Sequence, residues 1–232
     1  AEIQRQMITD DDYCVVVDDF LVDPQALIEF ACENTDRFLT PQYPYPGLRM
    51  DLDPRMLDDW LRFIRTRMSK QFSFLRGGVD VGTGLSIVTL PPQELSNYQR
   101  VCHTDPRDVP GRRKYAALVY LYANEDLGGT AFYRYKDPDI IHKWLDLEIN
   151  DPPAATTFLQ KHTAAFRQPP CYMTESNELA ELLHVVPPRF NRFVFYSGEI
   201  PHSGYITSPE LLSENVAQGR LTLNSFISVI PR

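Results

Sequence analysis

The sequence predicts a mainly β fold with packed helices: two N-terminal helices, then about eight strands interrupted once by a helical insertion. Short β-branched and aromatic runs, bounded by Gly, Pro and Asn, recur from residue 85 to the end. Helical spacing is confined to two places, before Phe72 and between residues 136 and 180. Strands and helices do not alternate, which disfavours a parallel α/β fold. The order suits a closed or two-sheet β architecture with helices outside.

Residues 13–18, YCVVVD, predict a buried strand. Asp23 before Pro24 predicts an N-cap with proline at the first helical position, and Leu27, Ile28 and Ala31 supply the apolar stripe. Residues 40–53, rich in proline and aspartate, read as loop. From Pro54 to about Phe72, Leu57, Trp60, Leu61, Ile64 and Met68 fall at helical spacing, with Arg62, Arg65 and Arg67 on a solvated face. After Gly77-Gly78 the period changes, and strands are predicted at 85–90, 98–105, 114–123 and 130–135, the last after a Gly128-Gly129 turn. DIIHKWLDLEI and PAATTFLQKHTAAF, on either side of Asp151-Pro152-Pro153, read as helices of the insertion. Strands return at 181–187, 192–198 and 220–230, the first two as a hairpin around Pro188-Arg189-Phe190-Asn191. Residues 1–232 thus read as one domain, with 1–76 as its N-terminal strand and supporting helices and 136–180 as an insertion placed to act as a lid.

A chain of 232 residues is long enough for one substantial core. Its net charge of −8 repels phosphate backbones, so nucleic acid is not an expected partner. Cys14, Cys32, Cys102 and Cys171 form no C-x-x-C pair and read as isolated reduced thiols. No apolar run has the length of a membrane helix, and AEIQRQMITDDD lacks a signal peptide's apolar core, so the expectation is a cytoplasmic protein with no membrane partner.

His103 and Asp105 stand two apart on a predicted strand, where alternation puts both side chains on one face. One imidazole and one carboxylate can supply two adjacent metal ligands, and a second histidine would complete a 2-His-1-carboxylate triad with open positions. Such a set suits divalent iron better than calcium, which takes all-oxygen shells. The candidates for third ligand are His142, His162, His184 and His202; His142 and His162 fall in the helical insertion, and His184 among strand apolars. His202 is preferred over His184, because it follows RFVFYSGE beside a turn and can be aimed into a barrel mouth. HTDP alone would equally suit a turn in which Asp105 caps a loop before Pro106. What raises it above that is Arg220-Leu221-Thr222 late in the chain. The arginine fork matches a carboxylate bidentately, and Thr222 shares its face, so the pair could grip the far end of a dicarboxylate whose other end chelates the metal.

Taken together, His103-Thr104-Asp105, a distant His202 and Arg220-x-Thr222 resemble the signature of the 2-oxoglutarate/Fe(II) dioxygenase superfamily, its prolyl-hydroxylase-like branch above all. CVVVDDFLVDPQAL, KYAALVYLYANEDLGGTAFY and NRFVFYSGEIPHSGY resemble that branch's opening strand and helix, its strand with Gly-Gly turn, and its second-histidine strand. The resemblance implies a double-stranded β-helix, or jelly roll, with iron on His103, Asp105 and His202. It implies 2-oxoglutarate on Arg220 and on Thr222, which stands where serine is more usual. Tyr120 falls near a tyrosine that touches the co-substrate in some members, and Tyr98 is a further candidate. Halogenating relatives lose the carboxylate, so Asp105 implies hydroxylation or another oxidation, using O2 on a peptide or small-molecule substrate that the sequence does not identify. The segment from His202 to Arg220 is longer than usual, and its SPELLSENVAQ reads as a loop or short helix. The competing functions are a non-enzymatic jelly-roll binding protein and a cupin-like metalloenzyme that needs no 2-oxoglutarate.

Overall fold

The computed structural model describes residues 2–105 and 109–232. The chain opens with β1 (Gln4–Met7), β2 (Tyr13–Val17), α1 (Pro24–Glu33) and β3 (Gly47–Asp51). α2 (Asp58–Phe63) runs through a π-helical turn at Ile64–Met68 into α3 (Ser69–Gln71). β4 (Phe74–Val88), β5 (Arg113–Tyr120) and β6 (Gly129–Tyr135) precede α4 (Pro138–Asn150) and α5 (Pro152–His162). β7 (Ala180–Val186), β8 (Phe193–Ser197), β9 (His202–Tyr205) and β10 (Arg220–Pro231) complete it.

The three long helices share one start signal. Asp23, Asp137 and Asp151 each precede a proline and accept backbone N–H bonds from the first turn, which satisfies donors the helix itself cannot.

Seven strands form one sheet in the order β1-β2-β8-β5-β10-β4-β3, and three form a second, β7-β6-β9, with antiparallel pairing throughout the described ladders. Alternation divides the large sheet's residues cleanly. Leu221, Leu223, Ile227 and Val229 of β10, with Phe193 and Phe195 of β8, pack against Trp60, Ile64 and Met68 on the helix side. Val194 and Tyr196 of β8 and Tyr120 of β5 face the other way and meet Phe132 and Val186 of the small sheet. The two sheets therefore face each other. α4 and α5 cover the outside of the small sheet, where Trp144 and Leu159 pack with Ala131, Tyr133 and Ala180.

Four sequence expectations are corrected. Residues 98–105 are not a strand: a 3-10 turn at Asn97–Arg100 is followed by one isolated bridge, His103 to His202. A Ser96–Gln99 capping box, in which each side chain bonds the other's backbone, stabilises the turn. The loop predicted at 40–53 ends as edge strand β3, which pairs with β4 from Gly47 to Asp51. β7 and β8 are not a hairpin, because β7 pairs with β6 in the small sheet and β8 with β2 and β5 in the large one. Asn191, at φ 60°, turns the chain across, its side chain bonding both the N–H and C=O of Leu21. His202 follows β8 across a turn, as expected, but begins a further strand, β9, that the sequence did not predict. Between β9 and β10 the long segment carries a 3-10 turn at Pro209–Leu211. No helix among the described residues is long and apolar enough to cross a membrane.

Candidate metal centre

Residues 103–105 lie antiparallel to 198–202. The His103 N–H bonds the His202 carbonyl at 3.0 Å, the His202 N–H returns to His103 at 2.8 Å, and the Asp105 N–H bonds the Gly198 carbonyl at 2.7 Å. Three residues thus oppose five. The extra length is taken up in a turn closed by the Ile200 N–H on the Ser197 carbonyl, 3.1 Å. Gly198 is obligatory here, since a Cβ at that position would sit 2.5 Å from Asp105 Oδ2. The turn proposed at Pro106 lies outside the described residues.

The arrangement brings His103, Asp105 and His202 together, with one ligand atom from each inside a mutual 4.8 Å. The imidazole centroids are 4.6 Å apart at 51°, and His202 Nε2 is 3.9 Å from Asp105 Oδ1. His202 Nδ1 lies 2.8 Å from the Ile200 carbonyl, which can only accept. Nδ1 is therefore the protonated nitrogen, and Nε2 keeps its lone pair toward the other two side chains. Burial pushes His202 down to about 4 against the opposing Ile200 bond. Burial, then the neighbouring His202, pushes His103 to about 4 against the pull of Asp105. His103 keeps solvent access, but protein crowding around its ring outweighs it. Both rings are neutral at pH 7, the state in which imidazole binds a metal.

Arg220 and Thr222 occupy the inner face of β10. The register places Arg220 opposite Val88, and Thr222 opposite both Ser86 and Tyr120. Arg220 is buried, and its guanidinium donates to the carbonyls of Leu127 (3.1 Å), Gly128 (3.3 Å) and Gly129 (2.7 Å). Among the described residues it has no carboxylate partner; the groups acting on its charge are the phenols of Tyr122, Tyr45, Tyr120 and Tyr172. Carbonyl dipoles orient a cation but do not neutralise it, and a buried charge without a counter-ion costs several kcal/mol.

Two links join this pocket to the triad. Gly204, two residues along β9 from His202 and so on its face, would place a Cβ 3.9 Å from Arg220 Nη2. Tyr196 stands edge-on to His202 at 4.8 Å. Its phenol is held well above the usual range by burial and then by Asp105, and Arg220 acts on it in the opposite sense.

Tyr120 is in the pocket, its hydroxyl 2.8 Å from Thr130 Oγ1. Tyr98 is elsewhere: its ring packs 5.4 Å from Trp144 in the helical cluster. His142 lies on α4, His162 stacks on Phe158, and His184 bonds Gln6 at 3.0 Å. Sequence reasoning missed Tyr45, Tyr122 and Tyr172 beside Arg220. Tyr122 lay in a stretch already read as strand, but nothing local marks which of twelve tyrosines would meet one arginine.

The fold and site define an antiparallel two-sheet protein with a His-x-Asp…His group able to hold a metal ion. The chain belongs to the family described as "Family of unknown function (DUF6445)", whose model matches residues 1–227. No curated protein matches it in sequence. Among solved structures it is similar in fold to a prolyl-4-hydroxylase of Pseudomonas putida, at TM-score 0.50 and 14% identity, covering 96% of this chain and 94% of that one. Also similar are the viral collagen prolyl hydroxylase of Paramecium Bursaria Chlorella virus-1 in its 2OG complex (TM-score 0.47, 12% identity, 94% and 97% covered) and HygX of Streptomyces hygroscopicus, solved with nickel and 2-oxoglutarate (TM-score 0.47, 12% identity, 96% and 84% covered).

Proposed function

We propose that this chain is a non-haem Fe(II)/2-oxoglutarate-dependent oxygenase of the prolyl-hydroxylase-like branch, a single double-stranded β-helix domain that hydroxylates a peptide or small-molecule substrate. The observation that carries the reading is the pairing of two centres on one interior. Two neutral imidazoles and a carboxylate converge within 4.8 Å, and a buried arginine with no carboxylate partner among the described residues lies on the facing sheet.

The donor set fits the metal. His103, Asp105 and His202 would hold iron, one anionic and two neutral donors on the 2-His-1-carboxylate pattern that leaves open positions. When bound, iron and 2-oxoglutarate supply O2-dependent oxidative decarboxylation to succinate and carbon dioxide, coupled to hydroxylation of a substrate C–H bond. The chain supplies position. The Ile200 carbonyl fixes the His202 tautomer and ring. Gly198 leaves room for Asp105. Arg220, anchored by three backbone carbonyls, presents its charge to the distal carboxylate with Thr222 beside it. Tyr120, Phe132 and Tyr196 are buried together between the sheets and would form the apolar wall of the site. In this reading the 136–180 insertion is a wall of the substrate side, its Tyr172 closing the arginine end through a 2.7 Å bond to the Leu90 carbonyl.

Protein supplied with iron, ascorbate and 2-oxoglutarate is expected to form succinate, and His103→Ala or Asp105→Ala to abolish it. Metal-supported turnover of another kind that survives replacement of Arg220 would favour the cupin-like alternative. A bound ligand without turnover would favour a binding protein.

A further inference from the structure

Four phenols surround Arg220, and three are committed to protein atoms. Tyr122 donates to the Gly128 carbonyl, Tyr172 to the Leu90 carbonyl at 2.7 Å, and Tyr120 shares a hydrogen with Thr130 at 2.8 Å. The fourth is not. Tyr45 Oη is enclosed and makes no hydrogen bond of good geometry among the described residues; the Thr222 hydroxyl, close enough to act on it, and the Arg220 guanidinium are its polar neighbours. A buried hydroxyl left unpaired costs about 1–3 kcal/mol, so such a group calls for a partner that is not protein.

The chain holds that hydroxyl in place deliberately. Tyr45 sits in Pro41-Gln42-Tyr43-Pro44-Tyr45-Pro46-Gly47, a strap with three prolines. The Tyr45 N–H bonds the Tyr43 carbonyl at 2.7 Å and the Gly47 N–H bonds the Tyr45 carbonyl at 2.9 Å, two successive three-residue turns. The strap is pinned to the end of β4, where Thr89 and Leu90 both donate to the Pro46 carbonyl. Gly47 approaches so closely that a Cβ would fall 2.0 Å from the Ile87 carbonyl oxygen. The Tyr45 ring packs beside Val88, Tyr172 and Ile206. The strap is thus positioned by the chain's own contacts, which favours preorganisation of the site. Burial, against the opposing charge of Arg220, pushes the phenol up to about 12, so it stays a donor at neutral pH.

We propose that Tyr45 is a co-substrate-binding residue, donating its hydroxyl hydrogen to the distal carboxylate of 2-oxoglutarate that Arg220 neutralises. The assignment rests on the oxygenase reading above, and it gives a strap N-terminal to the catalytic sheet a part in choosing a 2-oxo acid with a second carboxylate.

The test is calorimetric binding to the Fe(II)-loaded full chain under anaerobic conditions, wild type against Tyr45→Phe, with 2-oxoglutarate and with oxalate. Oxalate chelates a metal but has no distal carboxylate. The variant is expected to weaken 2-oxoglutarate by about tenfold or more, the value of a hydrogen bond to a charged acceptor. Oxalate affinity should not change, and the unliganded melting temperature should change little, since no hydrogen bond of good geometry ties the lost hydroxyl to the described residues. Unchanged 2-oxoglutarate affinity in Tyr45→Phe, or an equal loss for both ligands, overturns the assignment while leaving the oxygenase reading intact. Failure of the wild type to bind 2-oxoglutarate overturns both.

Discussion

The two faces of β10 make different use of the same strand. Its odd-numbered residues Leu221, Leu223, Ile227 and Val229 are wholly buried against the helices, in contact with apolar side chains. Its even-numbered residues include Arg220, Thr222, Asn224 and Ser228, and they look into the space between the sheets. Asn224 Oδ1 and Ser228 Oγ are enclosed there without hydrogen-bond partners among the described residues. A strand built only for stability would not carry that row. Ser225, bonded to Thr83, and Phe226 break the pattern; elsewhere the strand separates an apolar face from a polar one at a period of two.

Substitutions on the two faces should therefore fail in different ways. Phe193→Ala or Ile227→Ala, on the helix side, should cost about 2–5 kcal/mol of unfolding free energy through the cavity each leaves. Denaturant titration should show this, with 2-oxoglutarate affinity per folded molecule unchanged. Arg220→Met should do the opposite. Co-substrate affinity should fall by about 2 kcal/mol or more, while the unliganded protein unfolds no more easily than wild type, because an uncompensated buried charge has been removed. A large stability loss in Arg220→Met would show that the carbonyl contacts, not a ligand, are the residue's purpose.

Gly198→Ala tests the metal end. Its Cβ would meet Asp105 Oδ2 at 2.5 Å, so the carboxylate must move. Fe(II) affinity is expected to drop by about 10–100-fold, the range typical of disturbed supporting groups, with far-ultraviolet circular dichroism unchanged.

A smaller effect lies in pH. The folded imidazoles of His103 and His202 resist protonation down to about 4, whereas the unfolded chain takes up protons near the ordinary histidine value of 6.5. Between those values the unfolded state holds more protons, so metal-free stability should fall as pH drops from 6.5 toward 4, and be fully present above that window. Replacing His202 by Gln removes one titrating group and should flatten the slope by at most about 1.4 kcal/mol per pH unit. Midpoints of denaturation at a series of pH values would measure this.

Much of this division was legible in the sequence. An arginine at the start of a strand that alternates with Leu221 and Leu223, with a hydroxyl two residues on, is anomalous enough to identify by alternation. The Asp-Pro helix starts are equally local signals. Other features depend on partners far away in the chain. The enclosure of the Tyr45 hydroxyl beside Arg220 exists only because β3 docks on β4 and carries the strap to the end of β10. The crossing between sheets at 188–191 reads as a hairpin because both flanks are good strands; only pairing with β6 on one side and with β2 and β5 on the other separates them. The pairing of His103 and Asp105 was expected from strand alternation, yet it is made by a bulged turn opposite them. The chemistry was readable although the local geometry assumed for it was not.

The measurement that bears most directly on the whole account is anaerobic calorimetry of 2-oxoglutarate against the intact chain, with and without Fe(II), in wild type and Asp105→Ala. Binding that requires Fe(II) in the wild type and disappears in Asp105→Ala is the expected result. A wild-type chain that shows no Fe(II)-dependent binding of 2-oxoglutarate would contradict it.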